Sequence, residues 1–220
     1  MQRQALLISV VSCLVVLALG HAFIKHEEAH RAEIQRHLLQ VLGSTQAASL
    51  ERQLEHAFAA TYALAAWVRT HQDIEDFDSI AVEILKSYGS SISRIGLAPG
   101  GVVRYMYPST GQEQVIGLDL LHDPQRRTEA LATIASRTLT LAGPFTSAQG
   151  DVTIVGRLPV FLSDAIGDEH FWGFTNVVVR LSNLLAASAL QQLVEEGYDY
   201  VLSRRHPDPR HQHQRYCQLW

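Results

Sequence analysis

The distribution of apolar residues divides the chain into a long helical part and a part with shorter, strand-like periods. From Ala5 to Ile24 the sequence is apolar apart from two serines and one histidine. As a helix this run is about 30 Å long, which matches the hydrocarbon thickness of one bilayer. The pattern predicts a transmembrane anchor at 5–24, with residues 1–4 in the cytoplasm. Small residues at Ala18, Gly20 and Ala22 leave a cleaved signal peptide as the alternative.

Between Lys25 and Thr70 apolar residues recur at alternating spacings of four and three, which predicts a long helical stalk at 25–70. The stripe consists of Ile34, Leu38, Val41, Leu50, Leu54, Ala57, Thr61, Leu64 and Val68. Such a stripe needs a partner surface, which is either the helix's own globular domain or a second copy in a homodimer. The register shifts around Gly43 and Ser44, which predicts two helices or a kink there.

Beyond the stalk the pattern predicts a globular domain over residues 71–205. A short amphipathic helix is expected from Ser79 to Tyr88, before a series of strands. The strands are separated by turn sequences rich in glycine and proline. The predicted strands are Ile92–Leu97, Val102–Tyr107, Thr138–Leu141, Val152–Val160, Phe171–Val179 and Tyr198–Ser203.

Two further helices interrupt the predicted strands. Asp123 is expected as the N-cap of the first, with Pro124 at its first position and its end near Arg137. Ser182 is expected to cap the second, which ends before Gly197. The resulting fold class is α+β: a PAS-like sensor with an antiparallel sheet, preceded by a transmembrane helix and a long amphipathic helix.

Composition and charge narrow the functional classes. The chain has 220 residues, of which 47% are hydrophobic and 18% charged, so a packed core is expected. A net charge of −4 provides no cationic field, so no nucleic-acid partner is expected. The polar segment 206–220 is predicted to be a disordered tail, and its three histidines are attributed to that tail rather than to a metal site.

Catalytic motifs are sparse. The stretch His26-Glu27-Glu28-Ala29-His30 matches the H-E-x-x-H pattern of zinc hydrolases, but a charged helix at a membrane exit supplies no apolar frame to exclude water. A zinc hydrolase is therefore the outlying alternative. Asp119 and Asp123 are better explained as a turn residue and a helix cap than as an acid–base pair. We expect no enzymatic activity, no cofactor and no resident metal.

Seven short motifs occur in a specific order between Ser79 and Ser203. They are Ile95–Pro99, Tyr107-Pro108, Val115–Asp119, Arg126-Arg127, Leu139–Pro144, Arg157–Phe161 and Phe171–Gly173. Together they resemble the CHASE domain, the extracytoplasmic sensor of histidine kinases, diguanylate cyclases and plant cytokinin receptors. The resemblance implies a PAS-like module that binds a small molecule outside the membrane, and a dimer.

The family layout also implies a second transmembrane helix and a cytoplasmic output domain. Residues 206–220 contain no apolar run, so the chain is expected to be truncated before those parts. The predicted location is the inner membrane, with the sensor in the periplasm. An anchored ligand-binding protein without signalling output is the alternative.

Two arginines suggest the type of ligand. In the resemblance, Arg126 and Arg157 align with an acidic residue and a threonine in the pocket of cytokinin receptors, so a cytokinin is not expected. Arg157 alternates with Val155 and Pro159 on an apolar strand, so its head is expected to be buried and to need a partner. Arg126 is expected in the opening turn of a helix, where the macrodipole disfavours a cation by about 0.3–1 kcal/mol.

These features lead to a hypothesis about the binding site. Arg126 and Arg157 are predicted to face one cavity, which receives an anionic metabolite. The predicted walls of the cavity are Tyr107, Leu120 and Phe145. The alternative is structural: Arg157 pairs with an acid such as Asp119, and Arg126 is solvated.

Overall fold

A computed structural model of the chain describes residues 2–71, 74–111, 114–146, 150–164, 166–186, 188, 190–195, 197–205 and 213–218. The helices in this part are α1 (Gln2–Thr70), α2 (Phe77–Tyr88), α3 (Arg127–Ser136), α4 (Leu181–Ala186) and α5 (Leu190–Glu195). The strands are β1 (Arg94–Pro99), β2 (Tyr105–Tyr107), β3 (Thr140–Thr146), β4 (Val152–Ser163), β5 (Glu169–Arg180), β6 (Val201–Arg205) and β7 (His213–Gln218). The chain forms two compact units, 1–48 and 49–220.

Helix α1 is continuous from Gln2 to Thr70. The expected division into two helices at Gly43 and Ser44 is wrong, because the helix continues through both residues. The Ser44 and Thr45 hydroxyls donate to the Val41 carbonyl at 2.9 and 2.8 Å, a contact that often bends a helix, so the kink stays a prediction. Within the part of the chain that the structure describes, no helix was found long and apolar enough to cross a membrane. The side chains of residues 1–20 lie outside that part. The anchor at 5–24 therefore stays a prediction.

The centre of the second unit is a sheet of five described strands in the order β2-β1-β5-β4-β3. All neighbouring strands run antiparallel. β4 and β5 have twelve residues each and form the longest pairing of the sheet. The predicted combination of helices with an antiparallel sheet is thus confirmed.

One face of the sheet is covered by residues 49–70 of α1, together with α2 and α4. The α1 side chains buried there include five of the predicted stripe, together with Phe58, Ala60 and Ala65, which the stripe did not contain. The five are Leu50, Ala57, Thr61, Leu64 and Val68. The hydroxyl of Thr175 on β5 donates to the carbonyl of Thr61 at 3.1 Å. This part of the stripe therefore packs on its own domain, whereas Leu38 and Val41 are exposed. The unit begins at Ser49, inside the segment 25–70 that the sequence assigned to a stalk.

The Phe58 ring of α1 packs directly over Gly156 on β4. A Cβ atom at this position would lie 2.4 Å from a ring carbon of Phe58, closer than atoms in real proteins approach. Glycine is therefore required here by the aromatic ring that lies over it, since any side chain forces Phe58 out of the core.

Substituting Gly156 by alanine is expected to lower the free energy of unfolding by about 1–3 kcal/mol, because the overpacking outweighs the gain in backbone rigidity. Chemical denaturation of the purified chain measures the change. Gly43→Ala is the matched control, since Gly43 is exposed on α1 and no atom lies within 4 Å of its Cβ position. If both substitutions have the same effect, the packing argument is wrong.

The other face of the sheet is covered by α3 and by the irregular segment between β1 and α3. A second apolar cluster lies on this side and consists of Ala98, Val103, Met106, Leu120, Ala130 and Phe174. The backbone N–H of Val103 donates a hydrogen bond to the Leu118 carbonyl, so the segment folds back on itself before it reaches α3. The two clusters are separated by the sheet, which gives the domain two distinct interiors.

Several element boundaries differ from the sequence prediction. α3 begins at Arg127, because the Asp123 carboxylate accepts from the backbone N–H groups of Gln125 and Arg126 and stabilises a turn before the helix. The helix expected from Ser182 is two helices, α4 and α5, and begins one residue earlier at Leu181. Neither the turn before α3 nor the division between α4 and α5 is marked by a strong sequence signal.

The strands differ from their predicted bounds as well. β2 is confined to Tyr105–Tyr107, while Val102 forms a single bridge with Asp119. The tail predicted to be disordered contains β7, which pairs with β6 through backbone hydrogen bonds. Backbone pairing needs no apolar side chains, so a polar sequence did not reveal it. Residues 206–212 and 219–220, with His206 and His211, lie outside the described residues.

Candidate ligand-binding cavity

A cavity of about 120 Å³ lies on the face of the sheet opposite α1. Alternate residues of β4 line it, because successive side chains of a strand point to opposite faces. Thr153, Val155 and Arg157 face the cavity, whereas Ile154 and Leu158 belong to the core under α1. The volume is well above the roughly 15 Å³ that one water molecule needs and well below that of a drug-sized pocket.

The lining combines cationic, neutral polar and apolar side chains. The polar group consists of Arg94, Arg126, Thr146, Thr153, Arg157 and Asn176. The apolar group includes Val103, Met106, Leu118, Leu120, Phe145 and Val178. Among the described side chains that line the cavity, none carries a negative charge.

Arg157 is the most deeply buried charge of the site, with 2% of its surface exposed. Its Nε donates to the Asn176 side-chain oxygen at 3.1 Å, and its guanidinium lies 5.4 Å from the centre of the Phe174 ring. Its Nη1 has no hydrogen-bond partner among the described residues. A buried donor without an acceptor carries a desolvation cost that a bound acceptor would remove.

The surroundings of Arg157 act on its pKa in opposite directions. Burial lowers the pKa of Arg157 to about 10, the nearby Glu129 carboxylate opposes this, and repulsion by Arg126 adds to it. The guanidinium remains protonated at neutral pH. Two positive charges therefore persist close together in a site with little solvent.

Two contacts hold the Arg126 side chain at the N-terminus of α3. Its Nη1 donates to the Asp123 carboxylate at 3.2 Å, and its guanidinium lies 4.9 Å from the centre of the Phe145 ring. Phe145 reaches the cavity because the pairing of β3 with β4 shifts register between Ala142 and Phe145. Without this bulge, Phe145 would lie on the same face as Leu141, which contacts the core under α1.

Arg94 is a cationic residue of the cavity that sequence reasoning missed. It begins β1, and its pKa is lowered by burial and by repulsion from Arg180, while Asp151 has the opposite effect. Strand alternation predicts the position of Arg94. Ile95 and Leu97 face the core under α1, so Arg94, which precedes Ile95, faces the opposite side of the sheet. The same alternation places Asn176 on the cavity side of β5, because its neighbour Val177 faces the core under α1.

Four of the five predicted site residues line this cavity: Leu120, Phe145, Arg126 and Arg157. Tyr107 does not, and its assignment to the wall is wrong. It pairs with Ile95 across β1 and β2, and residues directly opposite in a sheet share a face, so it packs against the core under α1. Met106 takes the wall position instead.

The structural alternative named Asp119 as the acid for Arg157, whereas the carboxylate that acts on Arg157 is Glu129. The Asp119 carboxylate accepts from the backbone N–H of Leu121 at 2.9 Å and from the ring of His122 at 2.8 Å. The hydrogen bond from His122 holds the pKa of Asp119 below its usual value. Asp119 is therefore a turn residue, as the sequence indicated.

The described part of the chain contains no cluster of three or more His, Cys, Asp or Glu side chains able to hold a metal ion. The side chains of His26 and His30, which form the H-E-x-x-H match, lie outside the described part.

Comparisons with known proteins provide independent information about the family. The family model of the CHASE domain matches residues 27–212. None of the curated proteins compared with the chain matches it.

Two solved structures share the fold. The ligand-binding domain of the Pseudomonas aeruginosa PAO1 amino acid chemoreceptor PctC, in complex with GABA, matches with a TM-score of 0.53 at 18% identity, covering 74% of this chain and 69% of that one. An extracellular ligand-binding receptor from Desulfohalobium retbaense matches with a TM-score of 0.52 at 18% identity, over 66% of this chain. The chain spans only 25% of the Desulfohalobium receptor.

Proposed function

The chain belongs to the CHASE domain family, and from this premise we propose that it is a membrane-anchored, periplasmic sensor of a small anionic molecule. The proposal includes a PAS-like fold, which is supported by an antiparallel sheet with helices on one face and a cavity on the other. Binding is passed on through α1, which packs on the sheet that carries the cavity. The sensor itself performs no catalysis.

A single observation carries the proposal that the ligand is an anion. The guanidinium of Arg157 is buried, faces the cavity and has an Nη1 without a partner among the described residues. A carboxylate or phosphate supplies both the missing acceptor and the missing negative charge, with a geometry that suits the arginine fork.

A thermal-shift screen of small carboxylates and phosphates on the purified chain tests this function. At least one anion is expected to raise the melting temperature of the wild type, and to lose this effect in Arg126→Ala and Arg157→Ala. Arg127→Ala is the matched control, because Arg127 is the next residue, is exposed and does not line the cavity. The proposal fails if no anion stabilises the wild type, or if all variants respond equally.

The membrane topology is testable separately. Alkaline phosphatase fused after Ser203 is expected to be active, because residues 5–24 remain attached as an anchor and everything after them lies in the periplasm. Phosphatase activity in whole cells, with the fused protein in the membrane fraction, is the measurement. An inactive fusion of normal abundance contradicts this topology.

A further inference from the structure

We infer, building on the function proposed above, that the ligand is a small monocarboxylate with an apolar tail and without an ammonium group. Three features of the cavity carry this inference: the balance of charge, the composition of the walls and the lack of an acidic side chain in the lining. Each of them restricts a different part of the ligand.

The charge balance favours a single negative charge. The guanidinium groups in and around the cavity belong to Arg94, Arg126, Arg157 and Arg180. The described carboxylates that act on them belong to Asp123, Glu129 and Asp151. One positive charge is left over, and it is balanced by one carboxylate. Phosphate carries a charge of about −1.5 to −2 at neutral pH and therefore exceeds this balance.

The position of the surplus charge is defined by hydrogen bonding. Asp123 contacts Arg126 directly, and the Arg180 Nε lies 3.5 Å from Asp151. Two buried guanidinium nitrogens have no hydrogen-bond partner among the described residues, Arg180 Nε and Arg157 Nη1. Arg180 does not line the cavity, whereas Arg157 does, and the Glu129 carboxylate acts on the Arg157 guanidinium without satisfying Nη1. The carboxylate of the ligand is therefore expected at Nη1 of Arg157.

The remainder of the cavity suits a short apolar group. Side chains from the segments before and after β2, from β3 and from β5 supply the apolar walls, among them Val103, Leu118, Leu120, Phe145 and Val178. Burying apolar ligand surface against them contributes roughly 25 cal/mol per Å². A volume of about 120 Å³ limits the ligand to a small molecule.

An amino acid does not fit this lining. An ammonium group would enter a cavity whose described side chains include three arginines and no carboxylate. Such a group would be desolvated next to like charges, which is strongly unfavourable. The expected ligand therefore differs from GABA, the amino acid bound to the PctC domain of the same fold.

Three four-carbon acids separate these features experimentally. Butyrate has one carboxylate and an apolar tail, GABA adds an ammonium group to that tail, and succinate replaces its end by a second carboxylate. Isothermal titration calorimetry and thermal shift are measured on the full chain at constant ionic strength, with inorganic phosphate and sodium chloride as further arms. Butyrate is expected to bind more tightly than GABA by about tenfold or more.

The outcomes distinguish this inference from the proposed function. If GABA, succinate or phosphate binds as tightly as butyrate, the inference is wrong, while an anion sensor remains. If sodium chloride alone reproduces the butyrate shift, the effect is not specific and the inference also fails. If no anion in the wider screen has an effect, the proposed function itself is overturned.

Variants of Arg157 test the assigned position of the carboxylate. Arg157→Met is expected to abolish the butyrate response while keeping a folded circular-dichroism spectrum. Should Arg157→Met not fold, Arg157→Lys keeps the charge without the planar fork and is expected to weaken butyrate binding by about tenfold. Arg127→Ala is expected to bind butyrate like the wild type. Normal butyrate binding by a folded Arg157→Met or Arg157→Lys contradicts the inference.

Discussion

Replacing Phe58 by alanine is expected to lower the free energy of unfolding by about 3–5 kcal/mol. Only 6% of the Phe58 surface is exposed, and its ring lies over Gly156 at the contact between α1 and the sheet. Truncation removes the buried ring and leaves a cavity that a glycine on the facing strand does not fill. Denaturation by urea, monitored by circular dichroism, measures the loss.

The double variant Phe58→Ala/Gly156→Ala identifies the source of this effect. The alanine methyl group at 156 clashes with the Phe58 ring in the wild type but finds open space once the ring is gone. The two substitutions are therefore expected to be non-additive, with a coupling of about 1–3 kcal/mol. Tyr62→Ala is the control on the same helix, because Tyr62 is 53% exposed, and it is expected to change stability by about 0.5 kcal/mol or less. Additive effects would contradict the contact.

Replacing Glu129 by alanine is expected to destabilise the domain by about 3–5 kcal/mol. Glu129 is 5% exposed, and its carboxylate accepts from the backbone N–H of Gly143 at 3.1 Å and attracts the buried Arg157. The substitution leaves a buried N–H without this acceptor and a buried cation without its nearest described counter-charge. Glu129→Gln keeps an oxygen for Gly143, so it isolates the contribution of the charge.

The loss of stability in Glu129→Ala is expected to depend on pH, because Glu129 affects the pKa of Arg157. Its folded-state pKa of about 10 lies below its usual value in the unfolded chain, so the unfolded chain binds more protons between the two values and stability from this group rises with pH there. Loss of Glu129 lowers the folded pKa further. The difference between variant and wild type is therefore expected to shrink as the pH rises from the variant's lowered folded pKa to about 10, and to stay constant above that pH. Glu83→Gln, in an exposed pair with Lys86, is expected to cost about 0–1 kcal/mol at any pH.

Much of the cavity could be predicted from the sequence because strand alternation is a local property. An arginine between Val155 and Pro159 on an apolar strand has to be buried, and it is. The same rule, applied to β1 and β5, would have found Arg94 and Asn176. Neither residue lies in one of the seven motifs that carry the family resemblance.

The remaining differences depend on pairing between segments, which one strand's pattern does not contain. The face on which Tyr107 lies is set by its partner Ile95, and the face of Phe145 by a bulge against β4. The start of α3 depends on whether Asp123 caps a turn or a helix, and its side chain suits both. The partner surface of the α1 stripe likewise becomes visible only once the sheet is assembled.

The placement of the cavity on the side of the sheet away from α1 has an evolutionary consequence. Residues that line the cavity, such as Arg157, alternate along β4 with residues that pack against the helix, such as Gly156. Selection can therefore exchange every second position of one strand and change the ligand, while the positions between them keep the architecture. Relatives that preserve the glycine and the aromatic residue opposite it are thus free to recognise chemically unrelated molecules.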